Sequence, residues 1–303
     1  MKKYRNIILK FIRNIILVLS ALTFIIFLIK IPVTSEFNID IKNISINTNI
    51  NFKEILNEIF DYYKMIFSGT FGKTSDNRMV WSYIRPGINR SIVLLSISLI
   101  LAIILGILKG IYDSKNDKPY KSSIKILSTL ALIAMPNVFL ILLLQFLAVI
   151  LYRNGIDLVP AAGYGEIRHM ILPILALTLI PMSYIARITS LSIDEAYTKE
   201  YVETARGKGA NDRRILTIHI IRNSIIDILD SFSSITTIII STLLIVEYMF
   251  AYPGIAYMMF RKSGEDNIII AIAIIIGVLY FFITSIFKII KHILDPKLKE
   301  ENI

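Results

Sequence analysis

The feature that most limits the fold is a series of Ile- and Leu-rich runs with almost no charge. They cover about residues 91–111, 124–151, 170–190, 231–250 and 268–290, and an earlier run of about eighteen residues ends at Ile31. Roughly twenty such residues, wound as a helix, cross the hydrocarbon of a bilayer. The chain is 55% hydrophobic with a mean hydropathy of +0.65, where a soluble domain is expected at about 45–50% apolar. The reading is therefore an all-α, polytopic membrane protein with six transmembrane helices. A net charge of +10 can signal nucleic acid, but here the basic residues lie in loops beside apolar spans, which points to membrane topology and to no nucleic-acid partner. Cysteine is absent, so the chain has no disulfide, no thiolate nucleophile and no cysteine metal site.

Three regions follow from the pattern. Residues 1–31 form a basic cytoplasmic end and the first span. A charged start before an apolar run is also the form of a signal peptide, but Lys30, Ile31, Pro32 and Val33 follow here in place of a small-residue cleavage site. Residues 32–87 read as a small folded extracellular insert. Phe37, Ile39, Ile41, Ile44 and Ile46 alternate as in strands, while Ile55, Leu56, Ile59, Phe60, Tyr63, Ile66 and Phe67 recur at helical spacing. Trp81 and Tyr83 suit a membrane interface. Gly72, Lys73 and Thr74 imitate the end of a phosphate-binding loop, but Phe67 stands where its first glycine belongs, and no strand precedes it and no helix follows. Residues 88–303 hold five spans. In the second, Gly106 and Gly110 predict a close helix approach and Lys109 is expected to snorkel toward the cytoplasmic end. Pro136 is expected to kink the third, and Pro173 and Pro181 lie in the fourth. The proposed inner segments carry nineteen Lys and Arg against four in the two short outer loops, which places both termini in the cytoplasm.

The most polar long stretch of the second half, residues 194–224, lies on that inner side. It reads as two short helices with a break. Thr198 is the expected N-cap of the first, with Glu200 and Glu203 in its opening turns, and Asn211 or Asp212 caps the second. Gly207 and Gly209 interrupt the pattern as glycines do at a helix end. The stretch resembles the EAA loop of ABC-transporter permeases. Glu203, Thr204 and Ala205 stand for the Glu-Ala-Ala triplet, three residues follow, and Gly209 is the motif glycine. Thr204 and the HIIRN segment 219–223 depart from the general pattern toward the oligopeptide, dipeptide and nickel branch, which Tyr201, Val202, Thr204, Ala205, Arg206, Lys208 and Gly209 match residue by residue. Residues 69–72, Leu172 and Pro173, Arg187, the VEYMFAYPG segment 246–254 and the LDPK segment 294–297 are similar to that branch as well, so the resemblance covers about residues 69–298.

The resemblance implies a type I importer permease core and an ATPase-coupling role for Tyr201, Glu203, Thr204, Ala205, Arg206, Lys208 and Gly209. It implies partners too: a second permease subunit, two cytoplasmic ATPases and an extracellular substrate-binding protein, with ATP and Mg held by the ATPase. On this reading the chain is no enzyme and binds no cofactor or metal of its own. His169, His219 and His292 fall in separate segments. Glu247, at the outer end of the fifth span, is a candidate for the translocation path or outer gate together with Pro253 and Gly254. Its alternative is a carboxylate bonded to local backbone. Arg187 is expected to snorkel or to pair with Asp194 or Glu195. Peptides are the favoured cargo and nickel or a metal chelate the alternative. A secondary transporter and a membrane scaffold are the rivals from other classes.

Overall fold

The structure, a computed structural model, describes residue 20 and residues 22–29, 36–40, 43–47, 52–114 and 119–294. It is nearly all helical. A short antiparallel hairpin, β1 (Glu36–Asp40) and β2 (Asn43–Asn47), pairs Phe37 with Ile46 and Ile39 with Ile44. The helices are α1 (Phe52–Phe67), α2 (Val80–Asp113), α3 (Pro119–Ala134), α4 (Asn137–Arg153), α5 (Ile171–Ala196), α6 (Glu200–Gly207), α7 (Asp212–Arg214), α8 (Ile221–Met249), α9 (Ile255–Arg261) and α10 (Asp266–Leu294). Among the described residues four helical stretches are long and apolar enough to cross a membrane: Val80–Asp113, Ile167–Ala196, Ser224–Met249 and Asp266–Leu294. The expected first span lies largely outside the described residues, of which 22–29 are helical.

The expected third span is not one kinked helix. α3 and α4 meet at Pro136 with a bend of 101°. Pro136 sits at the N-cap of α4 with an extended backbone (φ −61°, ψ 137°). Proline lacks the amide that would continue the ladder and its ring crowds the preceding turn, so the chain restarts in a new direction. The pair counts as a fifth crossing only if taken as one broken span.

The described residues divide into two compact units, one drawn from Met1–Pro86 and Met258–Gly277, the other from Gly87–Tyr257 and Val278–Ile303. In the first, Ile55, Ile59 and Tyr62 of α1 bury against Ile26, Ile270 and Ile274. Lys73 bridges to Met79 and α2 starts only at Val80, so the phosphate-loop look-alike is a turn with Thr74 buried in it. Ser75 donates its backbone N–H and its hydroxyl to Glu265, and the Asn267 amide donates to the Lys73 carbonyl at 2.9 Å.

In the second unit α5 is the central element, buried along most of its length and packed against α3, α4 and α8. The glycine pair of α2 does what its spacing predicts. A Cβ on Gly106 would lie 2.7 Å from the Ile185 Cβ, and one on Gly110 would lie 2.7 Å from the Ala186 carbonyl oxygen. Lys109 reaches one turn toward the Asp113 end of α2. Its ammonium sits 3.0 Å from both carboxylate oxygens of buried Asp113, which also accepts from the Thr129 hydroxyl at 2.5 Å. A carboxylate left alone at that depth would be costly, and the lysine one turn away neutralises it.

Candidate functional site

The polar hairpin folds as a small packed unit on the end of α5. α5 runs to Ala196, where the Thr198 hydroxyl donates back to the Glu195 carbonyl at 2.8 Å. Thr198 is thus tied to the helix before it, and Lys199 (φ −85°, ψ 145°) takes the N-cap position of α6 without a side-chain bond. Glu195 pairs with Lys199 at 2.7 Å rather than with Arg187; the ammonium of Lys199 is pushed above its ordinary range by that carboxylate. Glu200 and Glu203 lie in the first turn of α6, where the positive end of the helix dipole favours acids. One face of α6 is apolar: Val202 and Ala205 bury against Ile193, Ala196, Ile215 and Ile220. Tyr201, Glu203, Thr204, Arg206 and Lys208 are exposed on the other faces.

The break is a closed C-cap. The Gly209 amide donates to the Arg206 carbonyl at 2.9 Å and the Ala210 amide to the Ala205 carbonyl at 3.1 Å. Gly209 has φ +80°, the left-handed conformation this double bond requires and that glycine adopts freely. Ala210 packs against the same cluster as Ala205, the apolar contact that commonly accompanies such a cap. Asn211 then caps the next turn, its side-chain oxygen accepting the Arg214 amide at 2.9 Å. Arg206 spans the break to Asp212 at 3.6 Å and lies 5.9 Å from the Tyr197 ring. Burial pushes the Tyr197 phenol above its ordinary range. Between α7 and α8 the chain takes a π-helical turn, Ile215–Ile220.

The other predicted group gathers at the far end of α8, about 40 Å away at 1.5 Å per residue. Glu247 is fully buried. Its carboxylate accepts from the Ser91 hydroxyl and from the Ala256 amide at 2.8 Å. The Ser91 oxygen in turn accepts the Ile255 amide at 2.9 Å. Two side chains thus hold the start of α9. Arg90 donates to the Pro253 carbonyl at 3.1 Å and stacks 4.4 Å from the Tyr164 ring, which meets Tyr252 edge-on. Pro253 and Gly254 make the second half of the turn, where the Gly254 amide bonds back to the Tyr252 carbonyl at 2.7 Å. In the first half the Ala251 amide bonds to the Tyr248 carbonyl and the Tyr252 amide to the Glu247 carbonyl, with Ala251 at φ +51°. This is the same closure as at Gly209, with alanine in the strained position. Gly254 is needed for space: a Cβ there would collide with the Glu247 carboxylate.

Residues 102–300 match the family described as binding-protein-dependent transport system inner membrane component. The chain belongs to that family. The match covers α5, the hairpin and the Glu247 turn within one family region. Among curated relatives of this inner membrane component, the dipeptide transport system permease protein DppB of Bacillus subtilis is 27% identical over 94% of each chain. The oligopeptide transport system permease protein OppB of Escherichia coli K12 is 25% identical over 81% of each. Of solved structures, a chain of the MetNI methionine ABC transporter in inward-facing conformations superposes with a TM-score of 0.56 at 12% identity, covering 70% of this chain and 96% of that one. The fold is shared.

In this inner membrane component, the seven residues expected at the hairpin do come together, and so do Glu247, Pro253 and Gly254. The sequence reading missed Ser91 and Ala251. Ser91 lies some 156 residues from its carboxylate partner, so no local spacing could reveal it. Ala251 takes a conformation its side chain disfavours, so nothing in its identity marks the turn. His169 sits in a capping box with Glu166, whose amide donates to its Nδ1 at 3.3 Å. The side chain of His219 lies outside the described residues.

Proposed function

We propose that this chain is the membrane-spanning permease subunit of an ATP-driven peptide importer and that the hairpin Glu200–Arg214 couples it to an ATPase. The observation that carries the reading is the hairpin itself. Its apolar face packs on the end of α5, its break is closed by backbone bonds, and Tyr201, Glu203, Thr204, Arg206 and Lys208 are exposed on its outside. A helix held this firmly and joined to both α5 and α8 passes a push at its surface into the two helices that pack most closely in the core. The names of the curated relatives support peptides as cargo over nickel or a chelate.

The full reading has six spans, both termini in the cytoplasm, residues 32–87 on the outer side and a core of residues 88–303. The chain pairs with a second permease, two ATPases that hold ATP and Mg, and an extracellular binding protein. The Glu247 turn, with Pro253 and Gly254, forms a fixed element of the outer gate, because its carboxylate is bonded to Ser91 and the start of α9 rather than open to cargo. The test is reconstitution with the partner ATPase and binding protein. Gly209→Pro, which removes the amide that bonds to Arg206, should insert normally, abolish ATP-driven peptide uptake and lose co-purification of the ATPase. Normal uptake by that variant would end the coupling assignment. Uptake by wild-type chain without any ATPase would favour a secondary transporter.

A further inference from the structure

We propose that α1, read from sequence as part of a small folded extracellular insert, is a membrane-surface helix seated in the phospholipid leaflet at the Asp266 end of α10. Its occupied face fixes its depth. Ile55, Ile59 and Tyr62 pack on Ile26, Ile270 and Ile274, and the Tyr63 hydroxyl bonds to the Thr23 hydroxyl at 2.8 Å. Ile270 and Ile274 belong to an uncharged run, residues 268–287, whose twenty residues match the roughly 30 Å hydrocarbon thickness. At 1.5 Å per residue they lie about 3 and 9 Å below the start of that run. A helix that packs on both is at the headgroup–acyl boundary, the depth at which interfacial amphipathic helices lie.

The free face has the chemistry that depth demands. At about 100° per residue, the apolar arc of α1 is wider than the strip covered by the two spans. The uncovered flank carries Leu56, 63% exposed, and Phe60, 62% exposed. Lys53 and Lys64 border that flank, with Lys64 4.6 Å from the Phe60 ring. Long basic side chains at such an edge extend their stems over apolar surface and their charge toward lipid phosphates. Asp61 stands beside Lys64 on the exposed side and pairs with it at 3.3 Å, and Glu58 lies opposite the flank. The stretch 22–29, whose Ile26 packs in the same cluster, also exposes large apolar side chains, Phe24 at 59% and Leu28 at 50%.

The absence of cysteine makes the test direct. Leu56→Cys, Phe60→Cys, Glu58→Cys and Asp61→Cys would each carry a nitroxide label in the full-length chain, reconstituted in liposomes. All four positions are exposed, so the labels leave the packed face intact. Positions 56 and 60 should collide readily with oxygen, which partitions into lipid, and several-fold less often with an aqueous nickel chelate than positions 58 and 61 do. Equal collision with the chelate at all four positions would put α1 in water and overturn the proposal. Shielding of positions 56 and 60 from both reagents would assign the flank to a protein partner and overturn it equally.

Discussion

At the scale of single residues, three positions near two identical turns should respond to substitution in a fixed order. An L-residue in the left-handed region costs about 1–2 kcal/mol, and glycine gives back about 0.4–1 kcal/mol through a freer unfolded chain. Ala251→Gly should therefore stabilise the protein by about 0.5–1 kcal/mol. Gly209→Ala, whose Cβ would meet nothing within 4 Å, should destabilise by a similar amount, confined to the hairpin. Gly254→Ala forces a methyl into the Glu247 carboxylate and should lose at least the about 1–3 kcal/mol of an overpacked core. Thermal unfolding in one detergent should rank them Ala251→Gly above wild type, then Gly209→Ala, then Gly254→Ala. Glu265 gives a pH prediction. Hydrogen bonds from the Ser75 hydroxyl and amide hold its carboxyl below the ordinary carboxylate range. A carboxyl whose folded pKa is depressed contributes stability above its unfolded pKa and loses it as pH falls through the folded one. The Ser75–Glu265 clasp should thus persist through neutral and mildly acid pH and open only below the ordinary carboxylate value. Exchange protection of the Ser75 amide against pH reads this directly.

At the scale of elements, α2 approaches α5 closely at Gly106 and Gly110. Gly110→Val would push side-chain carbon into the Ala186 carbonyl and Thr189. It should destabilise the protein by about 1–3 kcal/mol, whereas Gly277→Ala, with open space around it, should be near neutral; a thermal-shift comparison of the two checks the claim. This contact was legible because four-residue spacing of small side chains has one geometric meaning in a membrane helix. The strand pair and α1 were legible for the same reason, since periods of two and 3.6 differ plainly. Pro136 was read only in part. A proline announces a break in the hydrogen-bond ladder, but the 101° between α3 and α4 depends on what each half packs against, and that lies far along the chain. Lys109 was read without its partner, because the burial of Asp113 depends on Thr129 of another helix.

At the scale of the whole molecule, the charge asymmetry predicts sidedness. Glu203→Cys, in the hairpin, should react with a membrane-impermeant maleimide only from the cytoplasmic side of sealed vesicles. Arg78→Cys, in the turn before α2, should react only from the other side. Labelling of both from one face would reverse the topology argument. Family membership was legible because the hairpin motif is dense and local. The burial of Glu247 was not, because its partners come from the start of the second span and from beyond the turn.

The π turn at Ile215–Ile220 has a consequence for how such a chain varies. A π turn holds one residue more than the α turn it replaces, so it sets the phase between the hairpin and α8. Removing one exposed residue there, such as Thr217, would rotate the hairpin about the α8 axis by about 100° and aim its free face elsewhere. Exchanging the side chains of Thr217 and Ile218, both exposed, would leave the aim unchanged. At these exposed positions the count of residues matters more than their identity, so they should accept substitutions and not deletions, while buried Ile215 and Ile220 should accept neither.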